Sequence, residues 1–159
     1  MGFKMIDIDA EIIPFESIAN ILLDSNVSLY LDDMYANFDV EFKEYSIPFG
    51  ETNVAYILDD IIRVSATPEG KIIAIGCSEK YKGKYKGKLY PGMTMGELIS
   101  LTESQRILNG TIIVDEDYGL SFTLPSPYDE IADYIKYIPH DLELNEIYVS
   151  DYSFWKPKG

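Results

Sequence analysis

Hydrophobic and polar positions alternate with a period of two along several segments of the chain. Residues 38–45 place Phe38, Val40 and Phe42 on one face, with mostly charged residues between them. This pattern is typical of a strand that buries one face. Residues 53–66 form a longer apolar stretch that is rich in β-branched residues, and they predict a second, long strand.

Turn-forming residues separate further strands and predict two hairpins. Thr-Pro-Glu-Gly at 67–70 has good turn chemistry, and so does Glu-Asp-Tyr-Gly at 116–119. The hairpins predicted from them join 53–66 to 71–77, and 107–115 to 120–124, and a last short strand is predicted at 147–149.

Three short helices are predicted from apolar spacing and capping signals. After a proline, residues 15–24 carry apolar residues at helical spacing. Residues 94–103 begin with Thr-x-x-Glu, which is the spacing of a capping box. Residues 126–138 begin with Ser-Pro and are followed by another proline, which together suit a helix start and a helix stop.

These elements predict an α+β fold. It contains a mostly antiparallel sheet of about six or seven strands, with the three short helices packed on one face, since the strands do not alternate regularly with helices. The chain has 159 residues, of which 47% are hydrophobic, and no segment has the length and composition of a linker. We therefore expect residues 1–159 to form a single domain.

The net charge of −14 narrows the classes of partner. So acidic a chain is repelled by phosphate backbones and anionic lipid surfaces and is attracted to basic molecules. Direct contact with nucleic acid is therefore disfavoured, and no membrane partner is expected. The first residues lack the apolar run of a signal peptide, and Cys77 is the only cysteine, so no intramolecular disulfide is possible. A cytoplasmic location is the expectation.

One segment runs against the acidic character of the chain. Five lysines alternate with Tyr81, Tyr85 and two glycines, and in an extended segment they would share one face. They could bind phosphates while the tyrosines stack on bases, or meet an acidic partner or the acidic face of the protein itself. A solvated arm, or an edge strand protected by its lysines, is favoured over both. We call this segment the lysine strip: Lys80, Lys82, Lys84, Lys86 and Lys88.

Motifs for metals, cofactors and catalysis are weak. An EF-hand loop that began at Asp115 would need glycine at its sixth position, but Gly119 stands at the fifth. His140 is the only histidine, and Cys77 lies in an apolar strand. No nucleotide-binding, nucleophile-elbow or zinc-protease motif is present. We expect no metal and no cofactor, and the chain is interpreted as a binding protein rather than an enzyme.

A resemblance favours one class of binding protein. The strand pair that starts at Ile62-Arg63-Val64 is followed by Tyr-Pro-Gly-Met-Thr-Met-Gly-Glu-Leu at 90–98 and then by Gly-Leu-Ser-Phe at 119–122. Across residues 54–124 this resembles small acidic bacterial immunity proteins, which neutralise a cognate toxin by binding it. The Gly-Met-Thr stretch is also similar to the helix-then-hairpin domains of envelope assembly lipoproteins and β-lactamase-inhibitor proteins. The sequence shows neither a lipid-attachment cysteine nor a second copy of the unit, and this counts against that alternative.

The resemblance implies a stoichiometric inhibitor of a basic toxin, steered by its charge and anchored by exposed aromatic residues. Two alternatives stay open: an acidic hydrolase with paired carboxylates, and a nucleic-acid-binding or scaffold-binding module that uses the lysine strip. The candidate contact residues are Tyr30, Asp32, Asp33, Tyr35, Asp59, Asp60, Glu116, Asp117 and Tyr118.

Overall fold

An eight-stranded antiparallel sheet forms the centre of the computed structural model, which describes residues 6–46, 50, 52–132 and 134–157. In chain order the strands are β1 (Ser17–Ile18), β2 (Ile21–Leu22), β3 (Val40–Ser46), β4 (Thr52–Leu58), β5 (Ile62–Ala66), β6 (Ile72–Cys77), β7 (Met93–Thr94), β8 (Gln105–Leu108), β9 (Thr111–Val114), β10 (Leu120–Thr123), β11 (Glu143–Leu144) and β12 (Ile147–Ser150). The helices are α1 (Leu31–Asn37), α2 (Met95–Leu101) and α3 (Tyr128–Ile131), with 3-10 turns at Val27–Leu29, Ile135–Tyr137 and Ser153–Trp155.

The large sheet consists of two meanders joined by the last strand. Its order is β3-β4-β5-β6-β12-β10-β9-β8, and β1-β2 and β7-β11 form two small separate sheets. All neighbouring strands are antiparallel. Short connections explain why the strands within each meander are neighbours. The predicted α+β class and antiparallel sheet are confirmed, but the sheet has eight strands rather than six or seven.

The additional strands arise because two predicted strands are hairpins. Residues 53–66 do not form one strand, because the chain reverses at Asp59 and Asp60, where φ is 54° and 58°. The Ile61 N–H donates to the Leu58 carbonyl over 2.8 Å, so the turn has the mirror-image geometry that matches the twist of a hairpin. Asp59 and Asp60 therefore lie in a turn and not, as expected, within a strand.

Residues 107–115 likewise form two strands joined by a turn, where a single strand was predicted. Asn109 and Gly110 have φ values of 51° and 77°, and β8 and β9 pair on either side of them. The predicted hairpin turn at 67–70 is confirmed, as β5 and β6 are antiparallel neighbours. The hairpin predicted around 116–119 is also confirmed by the pairing of β9 with β10.

The helix predictions are partly wrong. Residues 15–24 contain the small β1-β2 hairpin instead of a helix, with positive φ at Ala19 and Asn20. Ile18, Ala19 and Ile21 of this segment are buried in the main core all the same, whereas Phe15 and Leu22 are exposed. Helix α1 was not predicted. Helix α3 ends at Ile131, and a 3-10 turn at Ile135–Tyr137 follows it among the described residues of the predicted range 126–138.

Helix α2 begins at the predicted capping box. The Glu97 N–H donates to Thr94 Oγ1 over 3.2 Å, and the Thr94 N–H donates to Glu97 Oε1 over 3.2 Å. The other Glu97 carboxylate oxygen accepts the Tyr90 hydroxyl over 2.7 Å. This hydrogen bond from Tyr90, followed by those from Thr94, lowers the pKa of the Glu97 carboxyl. The carboxylate is therefore held as a structural acceptor.

Thr94→Ala should lower the free energy of unfolding by about 1 kcal/mol, because the substitution removes the side-chain acceptor of the capping box. Thr94→Ser keeps that acceptor and is the matched control. Urea unfolding monitored by circular dichroism measures both variants. Equal stability of the alanine and serine variants would show that the cap contributes nothing.

The main core lies on one face of the sheet and follows its cross-strand register. Paired positions join Leu58 to Ile62, Ile62 to Cys77, Cys77 to Ile147, Ile147 to Phe122 and Phe122 to Ile112. All six side chains are buried. Since this row runs across both meanders, β12 connects them into a single hydrophobic core.

Candidate functional site

An acidic concavity lies where the chain enters the first meander. It is a cleft of 590 Å³ beside the β4-β5 turn. Four apolar side chains and three carboxylates line it, together with an asparagine: Ile6, Asp7, Ile8, Asp9, Asn37, Phe38, Asp59 and Ile61. None of these described lining residues is basic. The cleft can therefore pack the methylene stem of a lysine or arginine and pair its charged end.

A smaller groove continues the cleft across the β4-β5 turn. It has a volume of 230 Å³ and shares Asp59 with the cleft. Its lining residues are Asp39, Val40, Glu41, Ile57, Asp59 and Asp60. We refer to both concavities together as the acidic cleft. Its carboxylates are those of Asp7, Asp9, Asp39, Glu41, Asp59 and Asp60.

Backbone hydrogen bonds hold several of these carboxylates in place. Asp7 Oδ1 accepts the Asp9 N–H over 2.9 Å, and Asp59 Oδ1 accepts the Asp39 N–H over 2.7 Å. The Asp59 N–H in turn donates to the Asp39 carbonyl over 3.0 Å. Among the described residues, no donor hydrogen-bonds to the other carboxylate oxygen of Asp7 or Asp59. Positioned acceptors of this kind lose little side-chain freedom when they bind a cation.

The buried carboxylate of Asp33 positions two of the residues that line the cleft. Its two oxygens accept the Ile6 N–H over 2.7 Å and the Asn37 side-chain amide over 2.6 Å. Ile6 and Asn37 both line the cleft. Asp33 therefore positions the wall of the cleft, and at 8% exposure it is not itself a contact residue.

The structure separates the predicted contact residues into two groups. Asp59 and Asp60 lie in the acidic cleft, with Asp32 and Tyr35 exposed on the nearby helix α1. Glu116 and Asp117 belong to the β9-β10 turn. That turn lies in the other meander and at the opposite end of the strands. Leu58, next to the β4-β5 turn, shares a cross-strand row with Phe122 of β10. Leu120, next to the β9-β10 turn, lies on a row further from the β4-β5 turn. One compact interface does not include both groups.

Two predicted aromatic anchors are buried. Tyr30 is 1% exposed and Tyr118 is 3% exposed. The Tyr30 hydroxyl accepts the Leu22 N–H over 3.0 Å, and Arg106 lies beside the Tyr118 hydroxyl. Both side chains stabilise the fold, and neither is available as an exposed anchor. Tyr35, by contrast, is 60% exposed.

The lysine strip shows the predicted alternation of lysines and tyrosines, but it does not form the arm or edge strand that was expected. Its five lysines are exposed, whereas Tyr81 and Tyr85 are buried. The Tyr81 hydroxyl accepts the Ala19 N–H over 2.9 Å and donates to the Ala10 carbonyl over 2.6 Å. The segment is a loop fastened to the core, neither a solvated arm nor an edge strand of the large sheet. Its tyrosine rings are therefore not free to stack on bases.

Two other potentially reactive groups, Cys77 and Asp151, have shifted pKa values. Burial raises the pKa of the Cys77 thiol, which suppresses the thiolate that a nucleophile requires. The pKa of the Asp151 carboxyl is lowered by hydrogen bonds from Ser153, and a general acid needs a raised value. Within the described residues, no group of three or more His, Cys, Asp or Glu side chains is arranged to hold a metal ion.

Asp7, Asp9, Asp39 and Glu41 are the cleft residues that sequence reasoning missed. Asp7 and Asp9 alternate with Ile6 and Ile8, and this alternation was the only local signal.

No helix among the described residues is long and apolar enough to span a bilayer. No protein-family model, curated protein or solved structure gives a significant match to this chain.

Proposed function

We propose that this chain is an immunity-type binding protein that neutralises a basic bacterial toxin by forming a stoichiometric complex. The acidic cleft is the observation that carries the proposal. It combines an apolar floor with positioned carboxylates, and in an interface this composition suits an inserted lysine or arginine side chain. The resemblance across residues 54–124 supports the same class of protein.

The charge of the chain supports the proposal both at long range, before contact, and at short range, within the cleft. The net charge of −14 accelerates encounter with a basic protein, an effect that weakens as salt is added. Within the cleft, direct pairing with fixed carboxylates then slows dissociation.

We propose further that α1, α2 and α3 pack on the core face of the sheet, which leaves the cleft open at the strand ends. Met34 of α1 and Leu98 of α2 support this because both belong to the main core.

The cleft can be neutralised without a change of shape. Asn has the size of Asp, keeps an Oδ1 acceptor for the Asp9 and Asp39 amides, and tolerates positive φ at position 59. A variant with Asp7→Asn, Asp9→Asn and Asp59→Asn should therefore remain folded. We expect it to bind a basic protein encoded beside this chain about 100-fold more weakly, since each lost charge pair costs on the order of a kcal/mol or more.

Isothermal titration calorimetry at moderate salt measures this effect. The matched control carries Glu69→Gln, Glu103→Gln and Glu130→Gln, which remove the same total charge from exposed sites elsewhere. It should bind within about 3-fold of the unmodified protein, because distant exposed charges are largely screened. Equal weakening of both variants would show that net charge acts and the cleft does not. If basic proteins encoded beside the chain show no saturable binding, the proposed function is wrong.

The lysine strip separates the proposal from a nucleic-acid-binding module. Replacing its five lysines with alanine should leave the affinity for the basic protein unchanged or increase it, because the variant is more acidic. A module that holds phosphates would instead lose binding, and its affinity would fall steeply with salt.

A further inference from the structure

We infer that the free edge of strand β3 binds an extended, basic segment of the partner as an additional strand of the sheet. This inference rests on the proposed function, because it identifies the part of a basic protein partner that the surface beside the acidic cleft receives. Addition of a strand satisfies backbone groups along a sheet edge, while side chains of the new strand enter the flanking grooves.

The two edges of the large sheet differ in their protection. At one edge, β8 contacts the 3-10 turn at Ile135–Tyr137. At the other edge, β3 pairs with β4 through seven consecutive residue pairs without a register shift, and no described element pairs with its outer side. A straight strand of this length is a ready template for pairing.

The backbone groups that face outward follow from the register. The Asp59 N–H donates to the Asp39 carbonyl, so the directly opposite residues 39 and 59 form a hydrogen-bonded pair. Such pairs alternate along an antiparallel ladder. Glu41, Lys43 and Tyr45 therefore direct their N–H and C=O groups towards β4. Val40, Phe42 and Glu44 direct theirs towards the open edge.

Strand β3 has little of the usual protection against pairing. Natural edges are blocked by lysines, prolines or bulges. The only lysine of this strand, Lys43, lies 3.5 Å from the Glu41 carboxylate, so its charge is already partly balanced. Phe42 is 48% exposed and contacts the Tyr56 ring edge-on, with ring centroids 5.2 Å apart. It offers an apolar contact to a side chain of an incoming strand.

The charges around the edge select a basic occupant. The groove of 230 Å³ that contains Asp39, Glu41, Asp59 and Asp60 opens at Val40, the first residue of β3. Lysine or arginine side chains of an added strand would enter this groove. A second copy of this chain is disfavoured, because two chains that each carry a net charge of −14 repel each other.

Amide hydrogen exchange, measured by NMR on the complete chain, tests the edge directly. The probe is an octapeptide of alternating lysine and valine. In the free protein, the amides of Lys43 and Tyr45 should exchange slowly, while those of Phe42 and Glu44 should exchange fast. Saturating peptide should slow exchange at Phe42 and Glu44 by about 10-fold or more, because both amides then become hydrogen-bonded.

Two control peptides separate strand pairing from charge attraction. The same octapeptide with every backbone amide N-methylated keeps its charge and lacks the donors of a strand, so it should give no protection. An octapeptide of alternating glutamate and valine should not bind. Binding of the lysine peptide with unchanged exchange at Phe42 and Glu44, or no binding of that peptide at all, would overturn the inference. Protection in the free protein that grows with its concentration would assign the edge to a second copy.

A variant of the edge gives an independent test with the unmodified peptide. Glu44→Pro removes one outward-facing donor, and an edge strand tolerates proline where the N–H faces outward. It should lose peptide binding by about 10-fold or more. Glu44→Ala removes the same side-chain charge and keeps the donor, so it should bind within about 3-fold of the unmodified chain, weakened only by the lost charge. These results do not depend on the calorimetry with the three-asparagine variant, so the edge can fail while the acidic cleft stands.

Discussion

Gly83→Ala should lower the free energy of unfolding by about 3 kcal/mol, the upper range for overpacking a filled site. A Cβ at this position would overlap the backbone carbonyl oxygen of Ala10 and lie 2.6 Å from the Tyr81 ring. The Gly83 N–H also donates to the Ile8 carbonyl over 3.1 Å. The loop therefore has no room to move away without losing its attachment to the core.

Gly87→Ala is the matched control within the same loop. Gly87 has a φ of +68°, and no atom lies within 4 Å of a Cβ built there. The substitution should cost only the conformational strain of the left-handed region, about 1 kcal/mol. Urea unfolding compares the two variants. Equal losses would show that the contacts of an added Cβ with Ala10 and Tyr81 do not limit the residue at position 83.

This contrast explains the regular spacing of the lysine strip. Tyr81, Gly83 and Tyr85 occupy buried positions of the loop, so the lysines beside them face solvent, whereas Gly87 is itself exposed between Lys86 and Lys88. The alternation that suggested a binding surface follows from packing, because the buried residues determine which positions are exposed. Lys82→Ala and Lys84→Ala should accordingly leave the stability nearly unchanged.

The protein should lose stability steeply above about pH 10. Burial raises the pKa of Tyr81, and burial followed by the hydrogen bond to the Asp117 carboxylate raises the pKa of Tyr85. Both hydroxyls remain protonated in the folded protein at a pH where they ionise in the unfolded chain. The unfolded state then binds fewer protons, so the free energy of unfolding falls as the pH rises, by about 1.4 kcal/mol per pH unit for each tyrosine.

Urea unfolding at a series of pH values from about 9 to about 11 measures this slope. Tyr81→Phe is the informative variant. It should be less stable than the unmodified protein at neutral pH, because the Ala19 N–H and the Ala10 carbonyl lose their partner. Its alkaline slope should be smaller by the contribution of one tyrosine. An unchanged slope in this variant would show that Tyr81 ionises normally in the folded protein.

Local patterns were sufficient to predict several elements. The Thr94–Glu97 spacing placed the start of α2 correctly, and the turn chemistry at 67–70 placed the β5-β6 hairpin. Two hairpins were missed because Asp59-Asp60 and Asn109-Gly110 interrupt apolar runs without a longer polar turn. Asp and Asn tolerate positive φ, so a two-residue turn needs neither proline nor a change in hydrophobicity.

Residues 15–24 show how tertiary packing overrides a local pattern. Their apolar spacing suits a helix, but Ile18 and Ile21 are buried at either end of a two-residue reversal. The short segment satisfies its hydrogen bonds within the hairpin and with the Tyr81 hydroxyl, which accepts the Ala19 N–H. Helix propensity over so few residues is weak compared with burial in the core.

The amino-acid sequence alone determined the α+β class, the acidic character, two of the hairpins and one helix start, because these depend on composition and on contacts between residues close in the chain. Only the tertiary structure decided that β12 joins the two meanders, that Tyr30 and Tyr118 are buried, and that Asp7 and Asp9 meet Asp59 in one cleft. Those features depend on contacts between distant segments. The free energy of such contacts comes from burial in a shared core, which no local pattern specifies.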